Sequence, residues 1–169
     1  AVKTFEANMK KLSKSKIDRA GLALAKSKYR DEIDFIELED VFDEYRKAHL
    51  QPLSETTIEL QQLLDNYGAQ YYIAQRLKIK PQIIRKLNRL HVRLTQLQDI
   101  GGCRIIVNTN SDVERLYEYL KEVVATKNVF TIGRDTDYRE RGRDDTGYRA
   151  LHVILERSGG HLELQIRGR

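Results

Sequence analysis

Two apolar segments joined by a short turn lie at the C-terminal end of the sequence and limit the folds available to it. Residues 150–156 and 162–167 have the composition of strands, and the Ser-Gly-Gly sequence at 158–160 is typical of a hairpin turn. In the second segment, apolar and polar side chains alternate and therefore point to opposite faces of a sheet. We expect the buried face to carry Leu162, Leu164 and Ile166, and the polar face to carry Glu163, Gln165 and Arg167.

Segments with helical spacing alternate with short extended segments upstream of this hairpin. The apolar periodicity predicts helices over 36–49, over 80–90 and from Ser111 onward, where Ser111 and Glu114 have the spacing of a capping box. Strand-like segments occur at 71–78, 103–107 and 129–132. This order of elements predicts an α/β fold with a mixed β-sheet flanked by helices.

Proline, serine and glycine positions predict where some of these elements end. Pro52 is expected to end the helix over 36–49, and Ser54 is expected to cap a following helix that stops at Gly68. Residues 133–147 are polar and flanked by glycine, which predicts a long loop, and long ordered loops are often functional.

The net charge of +5 is concentrated in one part of the chain. Residues 71–105 contain eight Lys or Arg and a single acid, Asp99, so this basic window carries +7 and the rest of the chain carries −2. Such a patch often faces phosphate groups, although a solvated helix face would explain the charge equally well. Asp99 is typical of a Mg²⁺ ligand beside bound phosphates or of a salt-bridging acid, and both interpretations stay open here.

Other sequence features exclude several classes of protein. No apolar run approaches the ~18 residues of a membrane-spanning helix, and the N-terminal residues lack the apolar segment of a secretory signal. Cys103 is the only cysteine, which excludes an internal disulfide and a multi-cysteine zinc site. No glycine-rich phosphate loop is present, so a nucleotide site would depend on side-chain cations such as Arg76 and Lys78. We predict a cytoplasmic protein without a membrane partner.

Four sequence runs in order, RLKIKPQIIRKL, QDIGGCRIIV, DDTGYRALHVIL and LELQIRGR, resemble the synthetase domain of the RelA/SpoT family. These alarmone synthetases move pyrophosphate from ATP to the 3′-hydroxyl of a guanine nucleotide. The resemblance covers roughly residues 35–169 and implies a nucleotidyltransferase-like synthetase fold, preceded by an N-terminal helical segment over 1–34. It also implies a small stand-alone or toxin-like type whose C-terminal helical part is missing.

The resemblance implies roles for individual residues. The positions implied to bind ATP are Arg76, Lys78, Lys86 and Arg104. The positions implied to bind the acceptor nucleotide are Tyr148, as a stacking ring, together with His152, Gln165 and Arg143. Asp99 and Glu163 are implied to be the catalytic acids, which bind Mg²⁺ as the cofactor, and Glu163 is implied to activate the 3′-hydroxyl. The expected product from GDP or GTP is (p)ppGpp.

One departure from the family pattern leaves the acceptor open. Asp144 lies where family members often carry a lysine that holds the acceptor's 5′-phosphates, although several arginines surround it: Arg139, Arg141, Arg143 and Arg149. A toxin-like relative that pyrophosphorylates the 3′ CCA end of tRNA, or adenine nucleotides, is therefore an alternative. A non-catalytic nucleotide- or RNA-binding module is a second alternative. A homo-oligomer and a regulatory or antitoxin partner are both compatible with the resemblance.

Overall fold

Helices and strands follow one another in the predicted order. The computed structural model describes residues 12–127, 130–137 and 150–169. In chain order, its elements are α1 (Lys14–Lys26), α2 (Glu32–Lys47), α3 (Leu50–Leu63), β1 (Tyr72–Leu77), α4 (Lys80–Leu90), β2 (Gly101–Val107), α5 (Asn110–Lys127), β3 (Thr131–Asp137), β4 (Leu151–Arg157) and β5 (Gly160–Gly168). A short 3₁₀ turn, Leu94–Gln96, lies between α4 and β2. No helix within the described ranges is long and apolar enough to cross a membrane.

The strands form one five-stranded sheet in the order β1-β2-β5-β4-β3. β2 and β5 are parallel, whereas the other three neighbouring pairs are antiparallel. The prediction of an α/β fold with a mixed sheet flanked by helices is therefore confirmed.

The hairpin between β4 and β5 turns at Ser158 and Gly159, as the sequence predicts. Both residues have positive φ angles, 47° and 81°. Two consecutive positive φ angles match the right-handed twist of the flanking strands, and glycine adopts such an angle without strain. The turn therefore sets the register in which Ile154 lies opposite Glu163, and His152 opposite Gln165.

One face of the sheet is buried against α3 and α5. The predicted alternation along β5 is confirmed, because Leu162, Leu164 and Ile166 are at most 1% exposed. They pack with apolar side chains of the two helices, among them Leu60 and Leu116. The polar residues of β5 consequently point to the opposite face, which is the face that carries the site described below.

A second apolar cluster lies at the β1 end of the molecule. It joins α1, α2 and α4 through residues such as Ile17, Phe42 and Ile83, and it includes Ile100, the residue before β2. This cluster holds α4 beside the segment that leads into β2. The predicted division into 1–34 and 35–169 stays a prediction, and residues 1–11 lie outside the described part of the chain.

The helix boundary expected near Pro52 is wrong in detail. Helix α2 ends at Lys47, and α3 begins at Leu50, so Pro52 lies in the first turn of α3. Proline is tolerated there because the first amide groups of a helix have no intrahelical acceptor. Ser54 consequently lies inside α3 and does not cap it, and the helix ends at Leu63, before Gly68.

Two other local predictions are also corrected. The capping box of α5 is formed by Thr109 and Asp112 rather than by Ser111 and Glu114: the amide of Asp112 donates to the hydroxyl of Thr109 (3.2 Å), and the amide of Thr109 donates to the carboxylate of Asp112 (3.1 Å). The loop expected over 133–147 is wrong for its first residues, because β3 continues to Asp137 by pairing with β4. Residues 138–147 lie outside the described ranges.

The corrected cap gives a testable prediction for stability. Thr109→Ala should lower the free energy of unfolding by about 1 kcal/mol, because it removes the side-chain cap of α5. Ser111→Ala is the matched control and should change stability by less than about 0.5 kcal/mol, since an exposed residue inside the helix supports no cap. Urea unfolding of both variants measures the difference. Equal effects would contradict the assignment of the cap to Thr109.

Candidate functional site

A cavity of about 280 Å³ lies on the face of the sheet that α3 and α5 leave open. The strand register brings its lining together, because residues opposite each other in neighbouring strands share a face. One row consists of Arg76, Gly102 and Glu163, and the next row consists of Ala74, Arg104 and Gln165. The remaining lining residues are Gln75, Lys78, Asp99 and Cys103.

Two hydrogen bonds to the backbone of Lys78 fix the segment that follows β1 against its neighbours. The amide of Lys78, just after β1, donates to the carbonyl of Ile100 at 2.7 Å. The carbonyl of Lys78 accepts from Nε of Arg46 at 2.8 Å, which ties the same segment to α2. These bonds place Lys78 beside Asp99, although the two residues are far apart in the sequence.

Asp99 is the centre of a compact ion-pair cluster. Its Oδ2 atom accepts from Nζ of Lys78 at 2.6 Å and from Nζ of Lys86 at 2.5 Å. The three side chains are only 10–15% exposed. Burial raises the pKa of the Asp99 carboxyl, but the hydrogen bonds and charges of the two lysines outweigh burial and hold this pKa below its ordinary value. Burial lowers the pKa of Lys78, and Asp99 only partly offsets that effect.

Glu163 has a neighbour on each of its carboxylate oxygens. Nε2 of Gln165 donates to Oε1 at 2.8 Å, and Nδ1 of His152 lies 3.3 Å from Oε2. Burial raises the pKa of Glu163, but the contacts with His152 and Gln165 outweigh it and hold this pKa below its ordinary value. Glu163 is therefore an ionised, oriented carboxylate at neutral pH.

Two arginines flank the small residues at the floor of the cavity. Arg76 and Arg104 lie on adjacent strands and on one face, diagonally across Ala74 and Gly102. Nη2 of Arg76 donates to Oε1 of Gln82 at 2.6 Å, so α4 helps to hold this guanidinium. The two guanidinium groups are thus placed on either side of a floor that has almost no side-chain volume.

The Mg²⁺ implied by the resemblance fits the residues present. Oδ1 of Asp99 is buried and has no hydrogen-bond partner within the described part of the chain. Glu163 lines the same cavity, and the negative charge of Asp99 is close enough to oppose in part the lowering of the Glu163 pKa. Mg²⁺ commonly takes one or two carboxylates together with phosphate oxygens and water. In residues 12–127, 130–137 and 150–169, no group of three or more His, Cys, Asp or Glu is arranged to hold a metal, so phosphate oxygens would have to complete the coordination.

Most of the residues singled out from the sequence come together at this cavity. Arg76, Lys78, Asp99, Arg104, Glu163 and Gln165 line it. Lys86 does not line the cavity but reaches Asp99 from α4, and His152 reaches Glu163 from β4. Tyr148 and Arg143 lie outside the described residues, as do Asp144 and the other arginines of that segment.

Five residues of this site were not assigned to a site from the sequence: Ala74, Gly102, Gln82, Gln75 and Cys103. Ala74 and Gly102 form the floor of the cavity, and Gln82 holds Arg76. The period-two alternation that places Arg76 on the polar face of β1 also places Ala74 there, and this signal could have identified it. Gly102 needed the register between β1, β2 and β5, which the sequence does not contain.

Comparisons with known proteins identify the family of this chain. The sequence model of the family described as "Region found in RelA / SpoT proteins" matches residues 75–169, more than half of the chain and nearly the whole cavity lining. Comparison with the sequences of curated proteins finds no match.

Solved structures similar to this chain include three structures of two synthetase-related proteins. The small alarmone synthetase 1 from Bacillus subtilis has a TM-score of 0.62 at 22% identity, over 76% of this chain and 72% of that one. The structure of the same enzyme bound to its product pppGpp has a TM-score of 0.58 at 22% identity, over 70% of this chain and 68% of that one. A GTP pyrophosphokinase family protein from Streptococcus pneumoniae has a TM-score of 0.61 at 25% identity, over 75% of this chain and 69% of that one. With a family match over more than half of its length and a shared fold, the chain belongs to the RelA/SpoT family.

Proposed function

We propose that this protein is an ATP-dependent pyrophosphokinase that makes (p)ppGpp from GDP or GTP. The observation that carries the proposal is the pair of carboxylates, Asp99 and Glu163, on the wall of a cavity lined by cations. Similar structures include a small alarmone synthetase bound to pppGpp and a protein of the GTP pyrophosphokinase family. The substrates proposed here are cytoplasmic nucleotides, and the cytoplasm is the proposed location.

The proposed reaction transfers the β,γ-pyrophosphate of ATP. The 3′-oxygen of the acceptor attacks the β-phosphorus of ATP, the bond from that phosphorus to the α,β-bridging oxygen breaks, and AMP leaves. Glu163 accepts the proton of the 3′-hydroxyl as general base. Phosphoryl transfer depends mainly on positioning and on stabilising charge, and this chain offers Lys78, Lys86 and the two guanidinium groups for that purpose.

Asp99 and Glu163 are the residues proposed to hold Mg²⁺. When bound, the ion would neutralise negative charge on the transferring phosphates. Asp99 also keeps Lys78 and Lys86 close to the cavity, which makes the same residue an organiser of the cation wall. The proposed partners are therefore ATP with Mg²⁺ as donor and a guanine nucleotide as acceptor.

The residues proposed to bind the acceptor are His152 on β4 and two residues taken from the sequence pattern. His152 contacts Glu163 and is proposed to lie beside the acceptor ribose. Tyr148 follows the family pattern for stacking on the acceptor base, and Arg143 is proposed to bind its 5′-phosphates in place of the lysine that Asp144 replaces. This substitution is also the reason to test tRNA and adenine nucleotides as acceptors.

The choice of acceptor is tested in one assay. The protein is incubated with Mg²⁺ and ATP labelled in its γ-phosphate, together with GDP, GTP, AMP, ADP or a tRNA mixture in separate reactions. Label in a guanine nucleotide supports the proposal, whereas label at the CCA end of tRNA, or in an adenine nucleotide, replaces the guanosine assignment. Binding of ATP without transfer to any of these acceptors would favour a nucleotide-binding module instead.

The floor of the cavity gives a prediction for the donor site. Ala74 is exposed in the middle of β1, between Arg76 and Tyr72 on the same face. Ala74→Leu should raise the KM for ATP by about tenfold or more, equivalent to about 1.4 kcal/mol, because its side chain fills the space above the floor. The free energy of unfolding should change by less than about 0.5 kcal/mol.

Steady-state kinetics with ATP as the varied substrate measure this effect. Thr131→Leu is the matched control, since it enlarges an exposed strand residue on β3, at the opposite edge of the sheet from the cavity. An unchanged KM for ATP in Ala74→Leu would contradict the binding of ATP above this floor.

A further inference from the structure

Gln165 lies between the catalytic carboxylate and the guanidinium of Arg104. Its Nε2 atom donates to Oε1 of Glu163 at 2.8 Å, and its Oε1 atom accepts from Nε of Arg104 at 3.4 Å. We propose that Gln165 is a positioning residue that orients Glu163 and links it to the donor side of the cavity, rather than a residue that binds the acceptor. This inference rests on the proposed function, because it concerns the general base of that reaction.

The backbone geometry explains why these three groups meet. Glu163 and Gln165 are two positions apart on β5, so both side chains point to the open face. Arg104 is the register partner of Gln165 in the parallel β2–β5 pair. The contact is therefore built into rigid strands at the centre of the sheet, where a site is held more precisely than on a loop.

The chemistry of the amide determines its orientation. A carboxylate only accepts hydrogen bonds and a guanidinium only donates them. The amide must therefore present its nitrogen to Glu163 and its oxygen to Arg104, because the flipped amide would place oxygen against oxygen and N–H against N–H. Both neighbours favour one orientation, and the contact with Arg104 thus helps to hold the hydrogen bond that orients Glu163.

The link also has a consequence for the reaction. Arg104 lines the cavity next to Ala74, on the side proposed for the donor. A donor nucleotide that fixes this guanidinium also fixes the amide of Gln165, and through it one oxygen of Glu163. His152 contacts the other oxygen at 3.3 Å, so Glu163 is oriented from both sides before the 3′-hydroxyl is deprotonated.

The test separates a positioning residue from an acceptor-binding residue. Gln165→Met has nearly the same shape but makes neither hydrogen bond. We expect kcat to fall by about 10- to 100-fold, the typical effect of removing a side chain that orients a metal ligand, while the KM values for ATP and for the acceptor stay within threefold of the wild type. A raised KM for the acceptor with an unchanged kcat would overturn the inference.

Arg104→Met and the double variant complete the experiment. If the link is real, Gln165→Met should reduce kcat less in the Arg104→Met background than in the wild type, because the amide there has already lost one anchor. Equal reductions in both backgrounds would overturn the link to Arg104.

A structural readout keeps the inference separate from the proposed function. Crystal structures of the wild type and of Gln165→Met should differ in the side-chain conformation of Glu163. An unchanged, fully ordered Glu163 in the variant would overturn the positioning role, even if the wild type transferred pyrophosphate to none of the acceptors. A wild type inactive with every acceptor contradicts the proposed function alone.

Discussion

Glu163→Gln should abolish pyrophosphate transfer while ATP, measured without Mg²⁺, still binds with nearly the affinity of the wild type. The carboxylate is the proposed base for the 3′-hydroxyl, and general bases typically contribute about 10²- to 10⁴-fold to a rate. Glutamine keeps the shape of the side chain, and its oxygen can still accept from Gln165, so the fold and the cation wall should remain. The contact with His152 changes, but the loss of charge removes the ability to take the proton.

Two measurements check this result. Single-turnover transfer of labelled pyrophosphate reports the chemical step, and calorimetry with a non-hydrolysable ATP analogue in a chelator reports binding without the metal that Glu163 is also proposed to hold. Glu156→Gln is the matched control, because it makes the same change on β4 at an exposed position and should retain full activity. Full activity of Glu163→Gln would refute its assignment as the base, whereas a parallel loss of ATP binding would indicate a general disruption of the cavity.

The parts of the fold that depend on local pattern were predictable from the sequence. The segment over 80–90 forms a helix with the expected ends, because Pro81 at its start and an apolar stripe act over one short stretch. The alternation along β5 likewise predicted which residues face the core and which face the cavity. In both cases neighbouring residues in the sequence contain all the information that the element needs.

The predicted ends of helices are wrong where two local signals compete. Ser111 and Thr109 are both good caps, and the choice of Thr109 depends on where α5 leaves the sheet. Pro52 is compatible both with the end of one helix and with the first turn of another. The packing of Leu53 and Leu60 in the core, with exposures near 0%, is compatible with the second arrangement.

The site itself was predictable as a set of residues but not as an arrangement. The charge pattern and the family resemblance together pointed to Asp99, Lys78 and Glu163. The row that joins Arg76, Gly102 and Glu163 depends on β5 pairing in parallel with β2, which is a contact between distant parts of the chain. Sequence alone therefore assigned Gln165 to the acceptor and did not indicate its bonds to Arg104 and Glu163.

Asp99 unites the two interpretations that its sequence context left open. Its Oδ2 atom is a salt-bridge acceptor for two lysines, and its Oδ1 atom is buried without a hydrogen-bond partner among the described residues. A salt-bridging acid and a metal ligand are therefore compatible descriptions of one carboxylate. The two roles predict different consequences when its charge is removed.

Asp99→Asn should reduce both stability and transfer. Lys78 and Lys86, whose side chains are 14% and 15% exposed, lose their shared counter-charge. We therefore expect the free energy of unfolding to fall by about 2 kcal/mol. This loss is smaller than for fully buried ion pairs, because the cavity is open to solvent. The pKa of Asp99 is lowered in the folded state. Its stabilising contribution is therefore present above the unfolded-state pKa and is lost as the pH falls through the folded-state pKa. Asp99→Asn should accordingly lose less stability in acid than the wild type.

Metal dependence distinguishes the role of Oδ1 from that of Oδ2. In the wild type, a non-hydrolysable ATP analogue should raise the melting temperature more with Mg²⁺ than with a chelator, because binding to the folded state stabilises it. In Asp99→Asn this difference should vanish, while the metal-free analogue still stabilises the protein through Lys78 and Lys86. Asp43→Asn, which removes a partly exposed acid that shares Lys80 with Glu39, should behave as the wild type. If the difference persists in Asp99→Asn, Asp99 is only a salt-bridge partner, and Glu163 and the phosphates would have to hold the metal without it.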